Sequence, residues 1–281
     1  MSKKTKPQNQ RQNNVDSYLQ KLYETNPLRE PVIRMAIETL RLPTGSRGLD
    51  VGCGIGYQAR MLAEAVGSKG HVTGLDQKTD FIAYAREAAA NAGLSERLSF
   101  QEGDMHHPPF DDHMFDWIWS SDCAGYGTKQ SVHLVKELTR VVRPGGIIAL
   151  LIYTSQQLLP GYPLLEARLN ATTAGIAPFT KDMKPEEHWL RALGWFRNVG
   201  MEQTACETMV RGVYAPLSDE LRIALSSFLD MRWESAEPDV DAAVWKEYQR
   251  LCRPESPDFI LNLPDYYAFF TYSLFYGKVG G

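Results

Sequence analysis

Gly48-Leu49-Asp50-Val51-Gly52 is a short apolar run that ends in a glycine-rich loop, Gly52-Cys53-Gly54-Ile55-Gly56, and Gln58 to Ala65 leaves that loop with helical patterning. A buried strand, a tight turn and a helix are what this passage dictates. Glycines let the backbone turn sharply and approach a ligand where a Cβ would clash. In an open α/β sheet such a turn lies outside the carboxyl end of a strand, in the crevice where ligands bind. A lone glycine loop is also compatible with a strand–helix turn that holds nothing.

The pattern continues as alternation. His71–Asp76 is predicted as a second strand, followed by a helix from Thr79 or Asp80 that carries Phe81, Ile82, Ala85 and Ala89. Leu98–Phe100, Phe115–Trp119 and Ile147–Tyr153 are predicted as strands three to five, with a helix over Ser131–Val142 and a turn at Pro144-Gly145-Gly146. Strands alternating with helices at this spacing imply a parallel sheet with right-handed crossovers. Before the loop, Leu19, Leu22 and Tyr23 share a helical face that Asn26-Pro27 is expected to break, and Pro31 is expected to open a second helix bearing Ile33, Ile37 and Leu40. After Thr154 the alternation stops. Helices are expected over Pro185–Val199, Leu217–Trp233 and Val240–Leu251, and strands over Met201–Val210 and Tyr266–Lys278.

The division expected is a disordered polar tail over 1–14 and a single domain over 15–281. Within it, 45–153 is the ligand-binding core, 155–265 holds substrate-side insertions and 266–279 is the last strand. A length of 281 residues suits one α/β domain with insertions. The formal net charge of −4 argues against non-specific binding to nucleic acid. Cys53, Cys123, Cys206 and Cys252 form no C-x-x-C pair, so no metal site or disulfide framework is expected. The first fourteen residues have no apolar core, and no run of about 18 apolar residues occurs, which points to a cytoplasmic protein without a membrane span.

Spacing separates two cofactor classes. A dinucleotide fingerprint, G-x-G-x-x-G, requires a third glycine at position 57, where this chain has Tyr57. Here the third glycine is Gly56, and Asp50 precedes the loop. An acid beside the loop disfavours a pyrophosphate and suits a ligand that carries an ammonium group.

The stretch Asp50–Gly56 resembles motif I of class I S-adenosylmethionine-dependent methyltransferases. Leu75-Asp76, Gly103-Asp104-Met105, Phe115 to Ser120, and Leu138 to Gly146 are similar to the later motifs of that group, in order. The resemblance, strong over 45–153, is to its small-molecule enzymes of the ubiquinone/menaquinone kind. It implies a Rossmann-like α/β fold: a seven-stranded, mostly parallel sheet with helices on both faces, plus N-terminal helices and a C-terminal helical insertion. It implies S-adenosylmethionine as cofactor and methyl transfer to a small, apolar organic acceptor at oxygen, carbon or nitrogen. The alternatives are a non-catalytic S-adenosylmethionine-binding protein and a nicotinamide-dependent oxidoreductase. Nucleic-acid methylation is not expected, since strand four has no Asn-Pro-Pro-Tyr-type motif. A monomer or homodimer is expected.

By the same resemblance, Asp50, Gly52, Cys53, Gly54, Gly56 and Gln58 belong to the cofactor loop. Asp76, with Gln77 beside it, takes the ribose hydroxyls. Gly103, Asp104 and Met105 meet the adenine, and Ser120 ends strand four beside the methionine part. Asp116 begins that strand and is read as structural. Because the sulfonium already activates the methyl, a base is needed only where the acceptor must lose a proton. Asp122, Tyr126 and His133, all after strand four, are the candidates, with His106 and His107 behind them. A substrate wall is expected from 155–184 and around Trp233 and Trp245, and a lid from Tyr18 and Tyr23.

Overall fold

The computed structural model describes residues 8–281, and their side chains from Tyr18 onward. The first seven residues of the expected tail lie outside the described residues. Residues 8–14, also assigned to that tail, are the start of α1 (Gln8–Leu40), which runs unbroken through Pro27 and Pro31. The expected break and second helix start are therefore corrected to one helix. Each proline removes one backbone donor. The stripe Leu28, Val32, Ile33, Ala36, Ile37 and Leu40 is buried at helical spacing, and that burial outweighs the loss.

The strands are β1 (Arg47–Val51), β2 (His71–Asp76), β3 (Leu98–Glu102), β4 (Phe115–Ser121), β5 (Val142–Gln157), β6 (Glu202–Tyr214) and β7 (Tyr267–Lys278). They form one seven-stranded, mostly parallel sheet in the order β3-β2-β1-β4-β5-β7-β6. The β1–β2, β1–β4, β2–β3 and β4–β5 pairs are parallel. Neighbours on either side of β1 therefore run in opposite directions along the order, which makes the carboxyl ends of β1 and β4 a topological switch point. The expected turn at Pro144-Gly145-Gly146 lies inside β5. Phe115 pairs with Val142 and Trp117 with Ile147, so three extra residues of β5 loop out opposite β4. Val279 exchanges backbone bonds with Gly145 and Gly146 and keeps that excursion within the sheet.

Helices α2 (Tyr57–Val66), α3 (Thr79–Asn91) and α4 (Ser131–Val141) are the crossovers between the parallel strands. Alternation along the strands sorts the faces. Leu49, Val51, Ile118, Ile148, Leu150 and Ile152 are buried with Leu134, Val135 and Leu138 of α4. Trp195 and Phe196 of a later helix, α7 (Ala192–Asn198), join the same cluster. On β4, Trp117 donates its indole N–H to Ser46 Oγ at 2.8 Å, and Trp119 donates to Gln58 Oε1 at 2.7 Å.

The chain divides into two compact units. One comprises Val32–Gln156, Ala177–Arg211 and Phe270–Gly281 and holds the glycine loop. The other comprises the described residues up to Pro31, Gln157–Ile176 and Gly212–Phe269, and contains α5 (Pro163–Asn170), α6 (Thr173–Ile176), α8 (Asp219–Trp233) and α9 (Ala242–Cys252). In this second unit the buried Glu166 carboxylate accepts the N–H groups of Leu158 and Leu159 at 2.8–3.0 Å, closing the turn into α5. Trp233, expected in a substrate wall, is wholly buried and donates to Asn170 Oδ1 at 3.1 Å. Trp245 stacks on Tyr248 with ring centroids 4.6 Å apart. Tyr18 and Tyr23 are exposed. Among the described residues, no helix is long and apolar enough to cross a membrane.

Candidate functional site

Asp50 lies one residue from the end of β1, 2% exposed, on the face opposite Leu49 and Val51. Its Oδ2 has no hydrogen-bond partner. Burial, and secondly the nearby Asp76 carboxylate, push its carboxyl up to about 8. A buried carboxylate oxygen left without a donor is costly, and native proteins keep few of them. What would relieve it is a cation or a donor brought in by a ligand.

Above Asp50 the loop is built on positive-φ glycines. A Cβ on Gly52 would lie 2.1 Å from Cys123 Sγ, so this residue must be glycine for the loop to close on the segment after β4. A Cβ on Gly54 would meet no protein atom within 4 Å. Packing leaves this position open and its φ of 52 favours glycine, so the loop presents bare backbone that a ligand can approach. The N–H of Gly54 donates to Asp76 Oδ2 at 3.0 Å, and that of Lys78 donates to Oδ1 at 2.9 Å. An ionised carboxylate has about four acceptor positions, so Asp76, half-buried at the end of β2, keeps capacity for two further donors such as vicinal hydroxyls. Gly56 opens α2 and packs on Phe100.

The other expected cofactor residues have more varied surroundings. Gly103 donates its N–H to Asp76 O at 3.0 Å and carries the loop after β3 past the end of β2. Asp104 is exposed, its Oδ1 accepting the His106 N–H at 2.9 Å. Met105 Sδ lies 3.8 Å from Cys123 Sγ. Gln77 is exposed. Gln58 holds the Trp119 indole, so its carbonyl oxygen is already engaged. Ser120 ties the ends of β1 and β4 together. Its hydroxyl donates to Val51 O at 2.7 Å and accepts the Ala124 N–H at 2.9 Å, and it is 1% exposed. Asp116 is structural as expected, accepting the Arg47 N–H at 2.7 Å and pairing with Arg143 Nε at 2.6 Å. Cys53 is buried, and burial together with Asp50, Asp76 and Cys123 pushes its thiol up, while Cys123 is pushed up to about 12 by burial, Asp76, Asp50 and Asp122. Both thiols stay protonated near neutral pH and are poor nucleophiles.

The three candidate bases occupy different surroundings. Asp122, at φ 47, follows β4 directly. Its Oδ1 accepts the Tyr153 N–H at 2.8 Å and its Oδ2 accepts the Tyr272 hydroxyl at 3.0 Å. Tyr126 packs on Trp189 with centroids 4.9 Å apart, and Trp189 stacks on His188 at 4.1 Å. Burial lowers the His188 imidazole, and its Nδ1 accepts the Leu190 N–H at 3.3 Å. His133 is exposed on α4, 6.2 Å from the ring of His107, in a shallow recess shared with His106, Lys129 and Gln130. Among the described residues no cluster of metal-ligating side chains is present. Tyr153, Tyr272 and His188 were not among the expected site residues; the aromatic run ending the chain was the only sequence signal for Tyr272.

Residues 49–146 match the family described as a methyltransferase domain, and the matched segment begins one residue before Asp50 and ends at the looped-out turn of β5. The matched segment carries the motifs in order, and over these residues the chain is similar to class I S-adenosylmethionine-dependent methyltransferases. Its relatives include the demethylmenaquinone methyltransferase of Bacillus cytotoxicus, 37% identical over 131 residues, which are 44% of this chain and 53% of that protein. The chain spans about half the length of the curated relatives it matches. Among solved structures, a chain of the complex between the Haloferax volcanii Trm112 methyltransferase activator and a methyltransferase superposes with a TM-score of 0.59 at 18% identity, covering 95% of this chain and 96% of that one. The structure described as the [4+2]-cyclase SpnF gives a TM-score of 0.52 at 21% identity, covering 89% of this chain and 82% of that one.

Proposed function

We propose that the chain is an enzyme that binds S-adenosylmethionine at the β1 loop and transfers its methyl group to a small, apolar acceptor bearing a ring hydroxyl. A fold shared with a protein described as a cyclase does not fix the reaction, so the reading rests on the site. The observation that carries it is the buried Asp50 oxygen without a donor, beside a loop whose Gly54 leaves open space over its backbone. The demethylmenaquinone methyltransferase relatives suggest the acceptor class, a hydroxylated aromatic ring with an apolar substituent.

When bound, S-adenosylmethionine supplies a methyl group already activated on a sulfonium sulfur. The chain's own residues then bind, orient and accept a proton. Asp50 would pair with the amino-acid ammonium and Asp76 would accept from the ribose hydroxyls, so two carboxylates would hold two parts of one cationic molecule. Gly52, Cys53, Gly54 and Gly56 let the backbone come close, while Gly103, Asp104 and Met105 flank the adenine. Asp122 would take the hydroxyl proton of the acceptor as the activated methyl passes to its ring carbon or oxygen. Tyr126 and His133 are less suited as bases: the phenol of Tyr126 sits against Trp189, and His133 is exposed among other imidazoles.

Calorimetric titration with S-adenosylmethionine and S-adenosylhomocysteine, against a nicotinamide nucleotide control, tests the cofactor. Micromolar binding of the sulfur ligands alone is expected. Transfer of isotope-labelled methyl to a short-chain demethylmenaquinol then tests the acceptor. Binding without transfer to this or any related phenol would remove the acceptor assignment, and absence of binding would remove the whole reading.

A further inference from the structure

The side chain of Asp122 is held from two strands that are far apart in sequence. Its residue sits at φ 47, a left-handed backbone that an aspartate adopts at some cost. This turns the carboxylate back over the sheet, where the Tyr153 N–H of β5 reaches Oδ1 and the Tyr272 hydroxyl of β7 reaches Oδ2. Tyr272 is 2% exposed and Tyr153 is 8% exposed. Their rings meet edge to face at 5.5 Å, with Phe270 6.1 Å from Tyr272 and 6.2 Å from Tyr153. The Tyr153 hydroxyl is bonded to Gln156. The phenol of Tyr272 is thus fixed by ring packing and its hydroxyl is directed at one carboxylate oxygen, while Asp122 itself remains half-exposed. The Asp122 N–H also donates to Leu151 O at 3.0 Å.

We infer that Tyr272 is a positioning residue for methyl transfer: its hydroxyl fixes the Asp122 carboxylate in the orientation that accepts the acceptor's proton. This deepens the methyltransferase reading and rests on it. A carboxylate oxygen can accept two hydrogen bonds, so a donor from the protein does not prevent it from meeting the acceptor. The carboxylate receives the proton of the acceptor's hydroxyl as the carbon–methyl or oxygen–methyl bond forms and the methyl–sulfur bond breaks, so the proton ends on Asp122 and is later lost to water; after transfer to carbon, the hydrogen left on that ring carbon shifts to the ring oxygen and restores the hydroxyl. Tyr272 does not touch the acceptor. It restricts the rotation of Asp122 about Cα–Cβ and Cβ–Cγ, and a poorly oriented base is a poor base.

The test is a double-mutant cycle of Tyr272→Phe and Asp122→Asn in the full chain, read in three ways. Methyl transfer from labelled S-adenosylmethionine to a short-chain demethylmenaquinol gives kcat and KM, calorimetry gives the Kd of S-adenosylhomocysteine, and the carboxyl ¹³C resonance of Asp122, assigned by its loss in Asp122→Asn, reports the bond itself. Expected for Tyr272→Phe is a roughly tenfold fall in kcat, with KM and Kd within about twofold and a displaced Asp122 resonance. In the Asp122→Asn background the same change has no further effect on kcat. Equal losses in both backgrounds, or a Kd that changes while kcat does not, would overturn the inference, as would an unmoved resonance. If the wild-type chain binds S-adenosylhomocysteine but does not methylate the quinol, the acceptor assignment fails and the resonance decides whether the Tyr272–Asp122 bond exists. If it binds no S-adenosylhomocysteine, the parent reading fails, and with it the inference.

Discussion

Asp50→Asn is the change whose consequence can be worked furthest. The carboxyl of Asp50 has an ordinary value of 3.8 and is pushed up to about 8 in the folded chain, first by burial and then by Asp76. Between these two values the folded chain holds a proton that the unfolded chain has released. The contribution is therefore full below pH 3.8, is lost progressively as pH rises, and is gone above about pH 8. Its slope is about 1.4 kcal/mol per pH unit, which makes about 3 kcal/mol between pH 5 and pH 7, or about 5 °C in melting temperature. Asparagine cannot titrate, so the variant lacks this slope. Its amide brings an unpaired donor costing about 1–3 kcal/mol, so the quantity to read is the difference in slope, not the offset. Thermal melts of both chains at half-unit steps from pH 5 to 8.5 provide it. Curves that stay parallel throughout would refute a strongly perturbed Asp50. The same titration with ligand tests its role: if an ionised Asp50 is needed to pair with the ammonium, the wild-type affinity for S-adenosylhomocysteine rises by up to about tenfold per unit from pH 6 to pH 8. In Asp50→Asn that affinity is weaker and nearly flat with pH.

Three further substitutions separate ligand contacts from packing. Gly54→Val puts a branched side chain on the open side of the loop and at a φ of 52 that such a residue rarely adopts, so it loses at least 100-fold in S-adenosylhomocysteine affinity by calorimetry, with thermal melts reading the loop strain separately; normal binding would show that the loop is not the site. Asp76→Ala removes the acceptor for the Gly54 and Lys78 N–H groups and for the ribose, at a cost on the order of 2–4 kcal/mol of cofactor affinity; an unchanged Kd would sink the ribose assignment. Ser120→Ala leaves Val51 O and the Ala124 N–H without their partner and lowers stability by about 1–3 kcal/mol in denaturant melts. Its cofactor affinity stays within about twofold if the hydroxyl acts only through these bonds, and a large loss of affinity would show that Ser120 also meets the cofactor, as the resemblance implies.

The elements around the cofactor loop were legible because their signals are local. A five-residue apolar strand, a glycine turn and an amphipathic helix each declare themselves within one window, and the order of strands follows from alternation. Ser120 shows where local reading stops. It ends strand four as expected, but alternation puts it on the face opposite Trp117 and Trp119, where its hydroxyl turns inward to Val51. The long α1 was read as two helices because Pro27 and Pro31 are strong local breakers, while the burial that overrides them is tertiary. Tyr272 was out of reach for a different reason. It meets Asp122 across 150 positions, and only the strand order β4-β5-β7 brings the two together.

The charges around the loop support the proposed cofactor class independently of the glycine spacing. Asp50 and Asp76 both press on the thiols of Cys53 and Cys123, and Asp122 presses on Cys123 as well. Asp76 raises Asp50, so the two carboxylates repel each other within the site. A pyrophosphate would add negative charge to this arrangement and worsen every one of these interactions. A molecule with a sulfonium and an ammonium supplies the missing positive charge, and the loop offers a backbone that it can approach at Gly54. The same repulsion explains why the site would be poised for its ligand: the proton that Asp50 carries near neutral pH compensates the charge in the free chain, and a cationic ligand replaces it. Binding should therefore release a proton between pH 6 and pH 8, measurable as a buffer-dependent heat in calorimetry. A heat of binding that is the same in buffers of different ionisation enthalpy would mean that the ligand's charge and the Asp50 proton do not exchange, and the electrostatic argument for this cofactor class would fail.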